Sequence, residues 1–230
     1  LDSGETEEGK LYSVFAFVPG HDLRFVIKKE GKLQPTEAGY LMAQVLDALA
    51  AAHNQGVVHR DLKPANIMVA TTGARRNATV LDFGIGAFVE HKSDEELKRI
   101  TGTGQMIGTP SYAPPEQLLG VEPTTRSDLY SWALVFLETL IGKPVYDGNS
   151  LPQIYFKQLD PNPVPIPDFL AQHPLGELLA RTLEKDVTKR DVTAEGVLRE
   201  LERIDFRGLD TDLASSEAVT IATPPVVDTR

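Results

Sequence analysis

Apolar residues recur at helical spacing in several stretches of the chain. After Pro35 and Thr36, with Thr36 reading as an N-cap, Leu41, Val45, Ala48, Leu49 and Ala52 share one face, which predicts a helix that turns that face inward. A second stretch, capped by Ser127, carries Leu129, Trp132, Ala133, Phe136 and Leu140 on one face and Leu134, Val135 and Leu137 on the others. That pattern predicts a helix buried all round. Two further amphipathic helices are predicted over 175–183 and 193–204. Strand signals are shorter: 1–3 and 11–18 flank the polar turn GETEEGK and end at Pro19 and Gly20, and a loop at 57–59 is followed by two short strands predicted at 67–69 and 80–81. From 84 to 126 no period is sustained and Gly, Thr, Ser and Pro are frequent, the composition of a long functional loop. Beyond Phe206 large apolar residues become scarce, so 206–230 reads as a linker or disordered tail.

Composition narrows the class. The 230 residues are 41% hydrophobic, enough for one or two domains with a real core. The apolar stretches 41–52 and 129–141 are interrupted by Asp47 and Glu138, and both fall short of the roughly 20 residues that a spanning helix needs. No membrane insertion is therefore expected, and no signal peptide is visible. The absence of cysteine excludes a disulfide framework, a thiolate metal site and a thiol nucleophile, and leans towards a cytoplasmic location. A net charge of −10, carried by scattered carboxylates, argues against nucleic acid as a partner. The chain opens on Leu1, which predicts a segment of a longer protein.

The run GVVHRDLKPANIMV places His59, Arg60, Asp61, Lys63 and Asn66 together, and VLDFG adds Asp82, Phe83 and Gly84. In order and wording these runs resemble the catalytic loop and the metal-binding motif of bacterial Hanks-type (eukaryotic-like) protein serine/threonine kinases. The resemblance implies ATP and Mg²⁺ as cofactors and a protein with Ser or Thr hydroxyls as substrate. Phosphoryl transfer needs little covalent help, so such a site must align a hydroxyl with the γ-phosphate and neutralise charge. By resemblance, Asp61 accepts the hydrogen bond of the substrate hydroxyl, and Asn66 and Asp82 offer the hard oxygen ligands that Mg²⁺ prefers. Lys63 puts a cation on the transferred group, as in serine/threonine rather than tyrosine kinases. His59 is expected to be a buried, hydrogen-bonded ring beneath the Asp82–Phe83–Gly84 turn. The other histidines, His21, His53, His91 and His173, show no metal-ligand spacing and read as ordinary.

The same resemblance extends downstream. Gly108, Thr109, Pro110 and residues 112–116 match the substrate-docking end of an activation segment, with Thr109 reaching back to Asp61 and Lys63. The family's Ala-Pro-Glu reads Pro114, Pro115, Glu116 here, and Glu116 is expected to form a buried ion pair with Arg190. Asp128 matches the aspartate that accepts backbone N–H groups of the catalytic loop, and Ala133 replaces a usual glycine. Arg60, beside the catalytic aspartate, calls for an anion, and Thr101 and Thr103 occupy positions where related bacterial kinases autophosphorylate. Phe15 matches the gatekeeper, Ala16 to Val18 the hinge that reads adenine, and Met68 would pack beneath the base. The wording is similar to kinase lobes of large multidomain bacterial proteins, including kinase/cyclase fusions of thiazole/oxazole-modified microcin clusters.

The fold expected is mainly α, a kinase large (C-terminal) lobe with a remnant of the small-lobe β-sheet. Residues 1–19 would be remnant strands and hinge, 20–205 the large lobe and 206–230 the tail. With the hinge at 16–18 no room is left for the Gly-rich loop, its lysine and the helix glutamate, so the rest of the small lobe is expected upstream in the same protein and the chain alone is expected to be inactive. Two segments imitate the missing parts. GTGQMIG follows the metal motif and reads as activation-segment glycines, and Lys28 in FVIK falls on a short helix after the hinge, in solvent. The alternative function is a pseudokinase-like docking module without catalysis. A pure scaffold would need none of Asp61, Lys63, Asn66 and Asp82, whose presence together favours the enzyme.

Overall fold

The computed structural model describes residues 2–6, 8–14, 16–83 and 110–209. It opens with an antiparallel hairpin, β1 (Asp2–Glu5) and β2 (Leu11–Val14), in which Asp2 faces Val14. An extended stretch, 16–19, leads to Gly20 and a three-stranded antiparallel sheet in the order β3 (His21–Asp22), β4 (Ile67–Thr72), β5 (Arg75–Val80). Between β3 and β4 lie α1 (Leu23–Glu30) and α2 (Pro35–His53), and after β5 come the short α3 (Pro115–Leu118), α4 (Thr125–Ile141), α5 (Leu151–Leu159), α6 (Pro174–Thr182) and α7 (Ala194–Leu201). The architecture is mainly helical with a small sheet, as expected.

The core is organised round α4. Every residue from Ser127 to Leu140 is buried, so the prediction of a helix without a solvent face holds. The Trp132 indole N–H donates to the Met42 carbonyl of α2 at 3.0 Å, and Trp132 meets Phe136 edge to face. Around it α2 buries Leu41, Met42, Val45, Leu46 and Leu49, and α6 and α7 add Leu175, Leu178, Leu179, Val197 and Leu201. Among the described residues no helix is long and apolar enough to cross a membrane.

Residues 57–59 form the expected loop: the Val57 N–H turns back to the Ala52 carbonyl and the His59 N–H goes to a side chain, Asp128, so neither is free for a ladder. The edge partner of β4 is the dipeptide His21–Asp22. Several local expectations change. The second strand ends at Val14 rather than residue 18. Thr36 does not cap α2, because Pro35 already occupies the first helical position, where its missing N–H costs nothing. Ser127 does not cap α4 but lies one turn inside, its Oγ accepting the Thr124 N–H at 2.9 Å. Helix α5 had no counterpart in the sequence reading, since its Phe156 points to solvent and blurs the apolar stripe. The packed body also runs past residue 205: Leu209 is buried, and the Phe206 ring lies so close to α2 that a Cβ on Gly39 would come within 2.6 Å of it. The rest of the expected tail, 210–230, lies outside the described residues.

Candidate functional site

The loop between α2 and β4 is held from below by one carboxylate. Asp128, in the first turn of α4, is buried, and its two oxygens accept the His59 and Arg60 N–H groups, each at 2.8 Å. Oδ2 also meets His53 Nε2 at 2.8 Å. This fixes Arg60 in the left-handed region at φ 71°, which a non-glycine residue keeps only when its surroundings impose it. His59 is fully buried, as expected. The Asp61 N–H points at its Nδ1 at 3.3 Å, which makes Nδ1 the acceptor, so Nε2 carries the proton donated to the Leu81 carbonyl at 2.8 Å. The ring also packs edge-on against Phe83, with centroids 5.0 Å apart.

On this base the structure gathers the polar groups picked out in the sequence. Lys63 Nζ lies 2.6 Å from Asp61 Oδ2, and Asn66 Nδ2 donates to the Asp61 carbonyl at 2.8 Å and to Oδ2 at 3.3 Å. Both hydrogens of the Asn66 amide are thereby directed at Asp61, leaving Oδ1 as the atom able to ligate a cation. Ile67 faces Val80 across the β4–β5 hairpin, and the Leu81 N–H donates to the Asn66 carbonyl at 2.8 Å, so Asn66 and Asp82 leave the same end of the hairpin. Asp82 is exposed and also left-handed, at φ 61°. An amide oxygen and a carboxylate, both hard and neutral or anionic, make a donor set that fits Mg²⁺ better than a softer metal.

A second layer holds the segment that begins at Pro110. Pro110–Tyr112 forms a 3₁₀ turn against α4 and α5. Gln158, fully buried, donates to the Ser111 carbonyl at 3.0 Å, and Ser131 Oγ donates to the Tyr112 carbonyl at 2.8 Å. The Tyr112 hydroxyl donates to Glu138 at 2.6 Å. Burial pushes the Glu138 carboxyl above the usual glutamate range even though this hydrogen bond favours its charged form, and burial together with that carboxylate pushes the Tyr112 hydroxyl up as well. The expected ion pair is present: Arg190 reaches Glu116 at 2.8 and 3.2 Å and also donates to the Glu184 and Arg126 carbonyls, with its guanidinium over the Tyr130 ring. Ser127 Oγ donates to the same Glu116 at 2.7 Å.

At the other edge, Gly20 adopts φ 110°, and a Cβ there would sit 2.2 Å from the Val69 carbonyl. Only glycine lets the 16–19 stretch approach β4 so closely. Asp22 then faces Met68 across the β3–β4 ladder. Phe17, within the 16–19 stretch, is exposed. Lys28 is exposed on α1, as expected. Phe15, Gly84, Thr101, Thr103, Gly108 and Thr109, together with GTGQMIG, lie outside the described residues. Sequence reasoning missed His53, Gln117, Ser131, Glu138 and Gln158. Their partners are 19 to 75 positions away along the chain, and no local spacing marks them.

The family profile of the protein kinase domain matches residues 3–200. The chain is 32% identical, over its whole length, to the probable serine/threonine-protein kinase PknB of Corynebacterium glutamicum, of which it covers 36%. It is 35% identical over 89% of its length to the serine/threonine-protein kinase pkn3 of Myxococcus xanthus, covering 38% of that protein. With the serine/threonine-protein kinase PknB of Mycobacterium tuberculosis it shares 34% identity over 88% of its length and 32% of the relative. The chain thus spans less than two fifths of each of these relatives.

Proposed function

Because the chain belongs to the protein kinase domain family, we propose that it carries the large-lobe half of a site that transfers the ATP γ-phosphoryl group to Ser or Thr hydroxyls of a protein substrate. The observation that carries this reading is the Asp61–Lys63–Asn66 cluster, set on the same end of the hairpin as Asp82. Asp61 accepts the hydrogen bond of the substrate hydroxyl, orienting its oxygen and receiving the proton as the new P–O bond forms and the bond from the γ-phosphorus to the bridging oxygen breaks, releasing ADP. Lys63, already on Asp61, offers its charge to the phosphoryl oxygens, and its presence together with the relatives' names favours Ser/Thr over Tyr substrates. Mg²⁺, which Asn66 Oδ1 and the Asp82 carboxylate would hold, neutralises phosphate charge when bound. Backbone groups of Ala16 and Val18 and the Met68 side chain would hold the adenine. Thr109 would brace Asp61 and Lys63, and phosphate on Thr101 or Thr103 would draw in the Arg60 guanidinium, whose present partner is the exposed Glu122 at 3.4 Å. A cytoplasmic location fits this reading. The docking-only alternative leaves the cluster on Asp61 without a purpose.

The test uses the full reading frame that encodes the chain. Asp82→Asn should lower Mg²⁺-dependent transfer to a generic protein substrate by at least about 100-fold, because a misplaced cation forfeits the main electrostatic stabilisation, while the melting temperature stays near that of the parent. Parent-like turnover in Asp82→Asn would overturn the assignment.

A further inference from the structure

The Arg60–Asp61 peptide is gripped at both ends. Its N–H, that of Asp61, points at His59 Nδ1 at 3.3 Å, and its carbonyl, that of Arg60, accepts a hydrogen bond from Gln117 Nε2 at 3.0 Å. The residue before this peptide is strained, with Arg60 at φ 71°. The plane of that peptide sets the direction in which the Asp61 side chain leaves the backbone. Of its two restraints, His59 belongs to the buried frame, as does Asp128, which holds the preceding peptide through the Arg60 N–H. Gln117 does not: it lies on α3, directly after Glu116, in the segment that descends from Pro110–Tyr112.

Resting on the kinase reading above, we propose that Gln117 is a positioning residue that ties the substrate-docking segment to the catalytic aspartate through the Arg60 carbonyl. When that segment is seated by Tyr112, Gln158 and the Glu116–Arg190 pair, the Gln117 amide is delivered to the peptide and Asp61 is aimed; when it is not, the strained peptide is free to rotate. The hydrogen bond is partly buried and its donor is neutral, so its loss also leaves a carbonyl without its partner.

Two variants of the full-length protein test this. Gln117→Met keeps length and volume but removes the donor, and should lower kcat about tenfold, as a small misplacement of a reacting group does, with the KM for ATP and the melting temperature unchanged. Gln117→Glu sets a carboxylate against the carbonyl and should be slower still at neutral pH. Its kcat relative to the parent should rise as pH falls, because the protonated carboxyl can again donate to Arg60. Parent-like kcat in Gln117→Met, or a flat ratio for Gln117→Glu with an active parent, would overturn the proposal. An inactive parent would instead count against the kinase reading on which it rests, and overturn both.

Discussion

Glu138 is a buried carboxylate on α4 that accepts a hydrogen bond from the Tyr112 hydroxyl. Burial raises its folded-state value above the unfolded one, near 4.5, so the folded protein holds the proton more tightly than the unfolded chain does. Its contribution to stability is therefore complete below about 4.5 and lost as pH rises through the raised folded value. Exposed carboxylates move the opposite way. Arg207 holds Asp205 down at about 2, and hydrogen bonds from Thr188 hold Asp186 low, so each stabilises above its unfolded value. The effect of Glu138 must consequently be read as a difference. We predict that Glu138→Gln, which keeps an acceptor for Tyr112, melts at a progressively higher temperature relative to the parent as pH is raised from 4 to 7. A difference in melting temperature that does not vary with pH would show that the site is not desolvated as described.

At the scale of elements, α4 does most of the joining. Its first turn supports the 57–66 loop through Asp128, its middle seats the Pro110–Tyr112 turn through Ser131 and Glu138, and Ser127 meets the Glu116–Arg190 pair. That pair links α3 to the loop before α7, and both partners are buried. Arg190→Met should cost about 3–5 kcal/mol, because it leaves Glu116 charged and buried with the Ser127 hydroxyl as its remaining partner. Replacing both partners removes the stranded charge, so the double variant Glu116→Leu with Arg190→Met should be more stable than Arg190→Met alone. Urea unfolding of the three proteins checks the order, and a double variant as weak as or weaker than the single one would refute it. The apolar stripes of α2, α4, α6 and α7 and the runs around Asp61 and Asp82 were legible in the sequence because each is a local pattern. Helix α5 was not, since an outward Phe156 and a short length leave no clear period. Nor were the contacts of His53, Gln117 and Gln158, which depend on chain crossings that no local spacing encodes.

At the scale of the whole molecule, the described residues supply Asp61, Lys63, Asn66 and Asp82 to the proposed phosphoryl-transfer site, and no strand among them carries a lysine. The helices bury a continuous core that does not depend on the N-terminal hairpin, so the body should fold. Among the described residues, β1 and β2, two four-residue strands joined by a turn, come before the 16–19 stretch. FVIK, which imitates a phosphate-binding lysine strand, lies on α1 with Lys28 exposed. In the proposed site Asp61, Lys63, Asn66 and Asp82 orient a hydroxyl and hold a cation, but β1 and β2 carry no lysine or arginine to clamp the phosphates. Positioning is worth on the order of 7 kcal/mol or more in such reactions, beyond what the remaining groups can replace. We therefore predict that residues 1–230 alone fold cooperatively, bind ATP weakly or undetectably by calorimetry and show no turnover, whereas the full reading frame both binds and transfers. The exposed Phe17 and Val14 should also make the isolated chain more prone to associate than the full-length protein, which light scattering would register. Robust turnover by the isolated chain would mean that its phosphate clamp is supplied from within these 230 residues, and the stretch from 84 to 109 would then be the first place to seek it.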